Sequence, residues 1–297
     1  MAARSVDRAR EDRRVEEAQG DYAAALASHQ ASLALREALA NADPDDAQAQ
    51  RDVAMTRERI GDVQLDRGEV AASLANQEAA LGIRLRGALK APGDAGLQRE
   101  VSMSYERIGA ARQAQGDLPS ALTSFEALLD IRERLANASP GDAALQRDLS
   151  IAHEKLGDVK QAQRDPAAAR SHYDACLAIR KRLAEADPSN AEARHDLSIA
   201  FQRVGEAQQA QGELAEALAS YEAERAIDEN LTQADPSNVE WRRDLSIAQQ
   251  RIGETRAANG DTAGALESHQ ASLASAKASS RRTPMTSERS ATWRRPS

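Results

Sequence analysis

The sequence predicts an all-α fold, a solenoid of antiparallel helix pairs that repeats every 48 residues. The pentapeptide DLSIA starts at Asp148, Asp196 and Asp244, at a constant interval. Apolar residues follow helical spacing, and no segment alternates apolar and polar residues for long enough to indicate a strand. Glycine and proline recur in the same register, so the repeat governs most of the chain. The recurring positions are Gly61, Gly109, Gly157, Gly205 and Gly253; Gly20, Gly68, Gly116, Gly212 and Gly260; and Pro44, Pro92, Pro140, Pro188 and Pro236.

The repeat divides the chain into five complete units, a sixth incomplete unit and a tail. The predicted units are 4–51, 52–99, 100–147, 148–195, 196–243 and 244–275, and the tail is 276–297. The tail contains six lysine or arginine residues and one glutamate. Its composition and its loss of the repeat pattern predict disorder.

Each unit is predicted to contain two helices, called here the first and the second helix. In unit 196–243, Leu197, Ala200 and Val204 form one apolar face of the first helix, which Gly212 ends in a left-handed conformation. The second helix stops before Asp235, because the residue that precedes a proline is disfavoured in a helix.

Polar residues at the helix starts are predicted caps. Ser189 or Asn190 precedes a first helix, and Asp117 precedes a second helix whose first turn contains Pro119. Asp148, which opens the pentapeptide, is expected to start or flank its helix.

Two glycine positions carry specific expectations. The glycine inside each first helix, such as Gly109, costs about 0.5–1 kcal/mol relative to alanine, so we expect another backbone to pass too close for a Cβ. The glycine series at the end of the first helices has one gap, which Arg164 fills. If Arg164 takes a positive φ, its replacement by glycine should stabilise the protein.

The repeated residues resemble those of the tetratricopeptide repeat family. The motif is a small residue and glycine, then glycine and an acid, then alanine and an aromatic residue. In unit 196–243 it reads Val204-Gly205, Gly212-Glu213, Ala217 and Tyr221, and in unit 100–147 it reads Ile108-Gly109, Gly116-Asp117, Ala121 and Phe125. The period exceeds the usual 34 residues, and is similar to long-helix members such as kinesin light chains and bacterial signalling proteins. The resemblance implies a right-handed superhelix that binds proteins and needs no cofactor.

Some units depart from this motif. His29, Gln77 and His269 replace the aromatic residue, and Arg13 replaces the first glycine of unit 4–51. These units are expected to pack more loosely.

Composition excludes several classes of function. The net charge of −8 disfavours nucleic acid and anionic membranes as partners. No apolar run is long enough to span a membrane, and the beginning of the sequence does not resemble a secretory signal. One cysteine, Cys176, excludes an intramolecular disulfide. We therefore expect a cytoplasmic protein.

No motif predicts catalysis or metal binding. The stretch HEKLG at His153 resembles a zinc-protease motif, but Gly157 stands where the second histidine ligand is required. Cys176 occupies a position that holds Ser32, Ala80 and Leu128 elsewhere, which is typical of a buried thiol. We expect no enzyme activity, no cofactor and no metal.

A charged stripe on the first helices is the candidate binding site. In the five units from residue 52 on, one position holds a cation and the position three residues later mostly holds an acid. The cations, called here the cation column, are Arg59, Arg107, Lys155, Arg203 and Arg251, and the acids, called the acid column, are Asp62, Asp158, Glu206 and Glu254, with Ala110 in the gap. By resemblance, this stripe lies on the concave face that binds partner segments.

Different interpretations of this stripe remain open. Each cation could pair with the acid three residues later, or duplication could have copied the residues without function. Alternatively, the cation column binds an acidic segment or a C-terminal carboxylate, with Arg107 the least neutralised because Ala110 follows it. A further alternative is a structural or self-associating arm, or a fragment, of a larger signalling assembly.

Overall fold

A computed structural model describes residues 2–280 of the chain and the side chains of residues 21–275. These residues form α-helices without a strand among them, which confirms the all-α prediction. The helices are α1 Ala2–Ala42, α2 Ala47–Asp66, α3 Val70–Lys90, α4 Ala95–Ala114, α5 Leu118–Ala138, α6 Ala143–Ala162, α7 Pro166–Ala186, α8 Ala191–Ala210, α9 Leu214–Ala234, α10 Val239–Ala258 and α11 Thr262–Ser280. They fall into two bodies, Met1–Asp165 and Pro166–Ser297.

Helix caps follow the predicted register. The Asn190 side chain accepts a hydrogen bond from the Ala193 amide at the start of α8, and the Asp117 side chain accepts one from the Ser120 amide at the start of α5. The prediction for Asp148 is wrong, because Asp148 lies inside α6. The repeated pentapeptide therefore lies inside a first helix and does not mark its start.

Arg164 adopts the conformation of the glycines that it replaces. Its φ is 62°, while the φ of Gly116 is 80° and that of Gly212 is 81°. The Asp165 amide bonds the Lys160 carbonyl at 2.9 Å, as the Asp117 amide bonds the Arg112 carbonyl at 3.0 Å. This confirms the positive φ on which the predicted stabilisation depends.

The glycines inside the first helices make room for a side chain, and the prediction that a backbone crosses there is wrong. A Cβ on Gly109 would lie 2.5 Å from the Phe125 ring, and one on Gly205 would lie 2.6 Å from the Tyr221 ring. Because glycine has no Cβ, the aromatic side chain of the second helix can pack directly against the first helix at this position.

Gln77 occupies the same gap in its unit. It is only 1% exposed, and its amide donates to the Glu58 carbonyl at 3.3 Å and to Asp62 at 3.0 Å. A Cβ on Gly61 would lie 2.7 Å from this amide. The looser packing predicted for this unit is not observed at its glycine contact, where the amide nitrogen of Gln77 makes both hydrogen bonds.

The first predicted unit does not form a helix pair. α1 runs without a break from Ala2 to Ala42, through the turn that was predicted at Gly20. Asp12 and Arg13 stand where the next unit has Ile60 and Gly61. The first half of α1 thus lacks the apolar residue and the glycine gap that hold the other helix pairs together.

The end of the chain also differs from the prediction in part. α11 continues to Ser280, so residues 276–280 of the predicted tail are helical. Residues 281–297 lie outside the described residues.

Candidate partner-binding face

The first helices carry the whole charged stripe. Arg59 and Glu254 are exposed, and the other members of the two columns are half-buried. In the first body the cations lie on α2, α4 and α6, and in the second body they lie on α8 and α10.

Most of the resolved ion pairs of the cation column join neighbouring units. Arg107 Nε lies 3.4 Å from Asp62 Oδ1, and Arg251 Nη2 lies 3.1 Å from Glu206 Oε1. Arg203 also pairs with Glu206, at 3.1 Å, which is the pairing within one helix that was an open alternative. The acid column therefore neutralises cations of its own unit and of the unit that follows.

The expectation that Arg107 is the least neutralised cation is wrong. Besides Asp62, its guanidinium lies 3.5 Å from the carboxylate of Glu58. Because Ala110 stands at the acid-column position, Arg107 has no acid three residues later on its own helix. The preceding unit nevertheless supplies two carboxylates to it.

Arg59 and Lys155 are the cations of the column without a carboxylate within 4 Å in the described part of the chain. Arg59 instead contacts the Met55 sulfur at 3.7 Å. Both residues belong to the first body. Met55 and the equivalent Met103 are 36% and 37% exposed, so apolar surface adjoins the cations.

A second ladder of ion pairs was missed by the sequence analysis. Arg99 Nε lies 2.5 Å from Asp148 Oδ2, and His195 Nε2 lies 3.0 Å from Asp244 Oδ2. The hydrogen bond to Asp148 raises the pKa of Arg99, and the hydrogen bond to Asp244 raises the pKa of His195 against the opposing effect of burial. The signal was present, because a basic residue directly precedes the first residue of each pentapeptide or its variant. These residues are Arg51, Arg99, Arg147, His195 and Arg243.

A buried arginine of the second helix forms a clamp between units, and this was also missed. Arg84 is 8% exposed; it donates to Glu58 of its own unit at 2.8 Å and to the carbonyl of Glu100 in the next unit at 3.1 Å. Arg132 repeats this arrangement with Glu106 at 2.5 Å and with the Asp148 carbonyl at 2.9 Å.

The clamp could have been found from the spacing of its residues. Glutamate and arginine stand 26 residues apart in consecutive units, as Glu58 with Arg84 and Glu106 with Arg132. In unit 196–243 both change together, to Gln202 and Asp228. Such a joint change points to a contact between the two positions.

The described residues offer little for other chemistry. No group of three or more His, Cys, Asp or Glu side chains among them is arranged to hold a metal ion. None of the described helices has the length and apolar character that crossing a membrane requires. The candidate face therefore consists of the charged side chains of the cation and acid columns, beside the thioether side chains of Met55 and Met103.

Comparison with known proteins identifies the class. A family model described as tetratricopeptide repeat matches residues 100–164 and 148–223. Together with the helix pairs and their glycine contacts, this match shows that residues 100–223 consist of tetratricopeptide repeats. No curated relative matches the chain.

Solved structures show the same fold. BtubC (BKLC) from P. vanneervenii is 17% identical, with 93% of this chain and 98% of that chain covered and a TM-score of 0.68. A putative kinesin light chain from Podosopora anserina, with nearly identical TPR-like repeats, is 17% identical, with 77% and 97% covered and a TM-score of 0.57. The apo form of RapI is 12% identical, with 86% and 93% covered and a TM-score of 0.53. At these identities the likeness concerns the fold alone.

Proposed function

We propose that the protein is a non-catalytic, cytoplasmic scaffold that binds a partner segment on the first helices of its first body. The proposal is carried by Arg59 and Lys155, two cations that have no carboxylate within 4 Å among the described side chains and that stand in the same column on either side of Arg107. A cation without an internal partner is available to an external carboxylate.

The partner chemistry follows from the same surface. An acidic segment or a C-terminal carboxylate would pair with Arg59 and Lys155, while apolar side chains would cover Met55 and Met103. Charge-assisted hydrogen bonds would supply specificity, and the thioethers would adapt to the shape of the segment. The net charge of −8 makes nucleic acid a poor alternative.

Charge reversal at the two free cations tests the proposal. We expect Arg59→Glu/Lys155→Glu to weaken binding of an acidic partner segment by about tenfold or more, because attraction becomes repulsion. Proteins captured from a lysate by the full chain would be identified by mass spectrometry, and the affinity of the relevant segment would then be measured by fluorescence anisotropy.

The matched control makes the same changes on the second helices. Arg86→Glu/Lys181→Glu reverses an exposed arginine on α3 and an exposed lysine on α7, which are both second helices. Unchanged helicity with equal binding by both double variants would refute the proposed face.

Self-association is a second candidate, and exposed leucines on α1 favour it. Leu35 and Leu39 of α1 are 71% and 67% exposed, whereas Ile131 and Leu135 at the same positions of a later unit are 6% and 9% exposed. In that unit Ile131 packs with Val101 of its own first helix. Among the described helices, none of its own unit packs on α1 in this way, so an external apolar surface would gain buried area there.

Light scattering at increasing protein concentration tests this candidate. A dimer is expected for the wild type and a monomer for Leu35→Asp/Leu39→Asp. The control Leu89→Asp/Leu266→Asp changes leucines that are 79% and 60% exposed elsewhere, and should stay dimeric. A monomeric wild type at all concentrations would exclude self-association.

A further inference from the structure

Helix α9 contains two buried carboxylates at positions where other second helices have different chemistry. Glu224 is 2% exposed and Asp228, one turn later, is 0% exposed. The position of Glu224 holds Ala80, Leu128 and Cys176 in other units, and that of Asp228 holds Arg36, Arg84, Arg132 and Arg180. In this unit the arginine clamp is therefore replaced by a pair of carboxylates on α9. The pair contacts α8 on one side and α10 on the other.

Within the described part of the chain, only one oxygen of each of these two carboxylates accepts a hydrogen bond. Glu224 Oε1 accepts from Arg251 Nη1 at 3.1 Å, and Asp228 Oδ1 accepts from Ser198 Oγ at 2.5 Å. The second oxygen of each carboxylate is buried without a hydrogen-bond partner among the described residues. A buried ionised carboxylate is costly unless it is fully paired.

The surrounding charges do not balance the pair. α8 supplies Glu206 and His195, and α10 supplies Asp244 and Arg251. Arg251 is shared with Glu206, and His195 hydrogen-bonds Asp244. Glu206 is also paired with Arg203, so four carboxylates face two guanidinium groups and one imidazole.

The first body offers a balanced counterpart. Glu58 is equally buried, at 4% exposure, but lies against Arg84, Arg107 and the Ser104 hydroxyl. The contrast lies in the neighbours of the carboxylate, because both acids are removed from solvent to a similar extent.

We propose that the packing of α10 on α8 and α9 is a proton-dependent joint, closed while Glu224 and Asp228 are protonated and loosened when they ionise. α10 carries Arg251 and Glu254, so loosening would move the second body's part of the charged stripe. The joint is independent of the partner proposed above, since it arises from packing within the second body.

The direction of the pH effect follows from linkage. Burial raises the pKa of Glu224 to about 8 and that of Asp228 to about 6. In the packed state these groups hold protons that an opened state releases, so rising pH favours opening. The effect develops from about pH 4, where exposed carboxyls ionise, to about pH 8.

Amide hydrogen exchange at pH 5.5 and pH 8.5, corrected for the intrinsic pH dependence of exchange, tests the joint. We expect the protection of α10 in the wild type to fall about tenfold or more between these pH values, because local opening is linked to proton release. Glu224→Gln/Asp228→Asn should remove this fall. α4 in the first body, next to the balanced Glu58, is the internal control and should keep its protection.

An equal fall in the double variant, or no fall in the wild type, would overturn the proposal. Because the double variant could fail to fold, the carboxyl carbons of Glu224 and Asp228 would also be titrated by NMR in the wild type. Midpoints above pH 5.5 support the joint, and ordinary midpoints near pH 4 would overturn it.

Discussion

At the residue scale, position 164 shows a side chain held in a conformation that suits glycine. Arg164 has a φ of 62°, at the end of a first helix where four equivalent residues are glycines with positive φ. A left-handed conformation costs a residue with a Cβ about 1–2 kcal/mol. The turn is kept because its backbone hydrogen bonds close the helix end, whichever residue occupies it.

We expect Arg164→Gly to raise the free energy of unfolding by about 0.5–1 kcal/mol, because relief of strain exceeds the entropy that glycine gains in the unfolded chain. Urea denaturation measures the change. The control Gln163→Gly alters a neighbour with a φ of −73° and should destabilise the protein. A lower stability for Arg164→Gly would contradict the strain argument.

At position 109, unlike position 164, glycine is expected to be the residue that stabilises the protein. A Cβ there would lie 2.5 Å from the Phe125 ring, whose side chain is fully buried. We expect Gly109→Ala to destabilise the protein by about 1–3 kcal/mol through overpacking, despite the better helix propensity of alanine. Ala110→Gly, at the adjacent half-buried position, isolates the propensity effect. Thermal unfolding that shows a stabilised Gly109→Ala variant would disprove the close contact.

At the element scale, the buried arginine of one second helix holds two first helices. Arg84 on α3 bonds Glu58 on α2 and the Glu100 carbonyl on α4. The guanidinium of Arg84 is buried and donates hydrogen bonds to both first helices. The clamp thus makes the stability of one unit depend on the unit that follows.

Breaking this clamp from one side should be more damaging than removing both partners. We expect Arg84→Met to cost about 3 kcal/mol, because Glu58 remains buried with less compensation, and Arg84→Met/Glu58→Met to cost less. Arg134→Met, which breaks an exposed pair with Asp130, is the control and should cost under about 1 kcal/mol. A double variant as unstable as the single one would show that the packing of the arginine stem matters more than its charge.

At the scale of the whole molecule, groups of two kinds set the dependence of stability on pH. Side-chain and backbone hydrogen bonds from serine lower the pKa values of Asp117, Asp187 and Asp235. Their contribution to the stability of the folded state is present above the ordinary carboxyl pKa. It is lost as the pH falls through the lowered pKa values. Glu224 and Asp228 act in the opposite direction, since burial raises their pKa values to about 8 and about 6.

Stability is therefore expected to be greatest near pH 5 and to decline toward pH 8. His195 adds to the decline, because its raised pKa in the folded state gives a contribution that is lost as the pH rises through that value. Melting temperatures from pH 3 to pH 9 measure the curve, and Glu224→Gln should flatten its alkaline side. A wild-type melting temperature that rises from pH 6 to pH 8 would contradict this account.

Prediction from sequence succeeded for the caps and turns at most helix ends, and it failed for several contacts between helices. Asn190 and Arg164 are governed by hydrogen bonds within one turn, so the repeat pattern identified their roles. The expectation that Arg107 is the least neutralised cation was wrong, because Asp62 lies on another helix and the distance between them depends on how two units stack. That Arg59 and Lys155 have no carboxylate within 4 Å among the described side chains likewise becomes visible only in the tertiary structure.

The repeat in the sequence by itself determined the all-α class, the register of the helix pairs and the positions that carry charge, because caps, turn glycines and apolar spacing act over a few residues. The tertiary structure decided which charges are neutralised, that α1 stays a single helix, and that Glu224 and Asp228 are buried together. These outcomes depend on contacts between residues that are distant in the chain, and identical repeat positions receive different neighbours in different units.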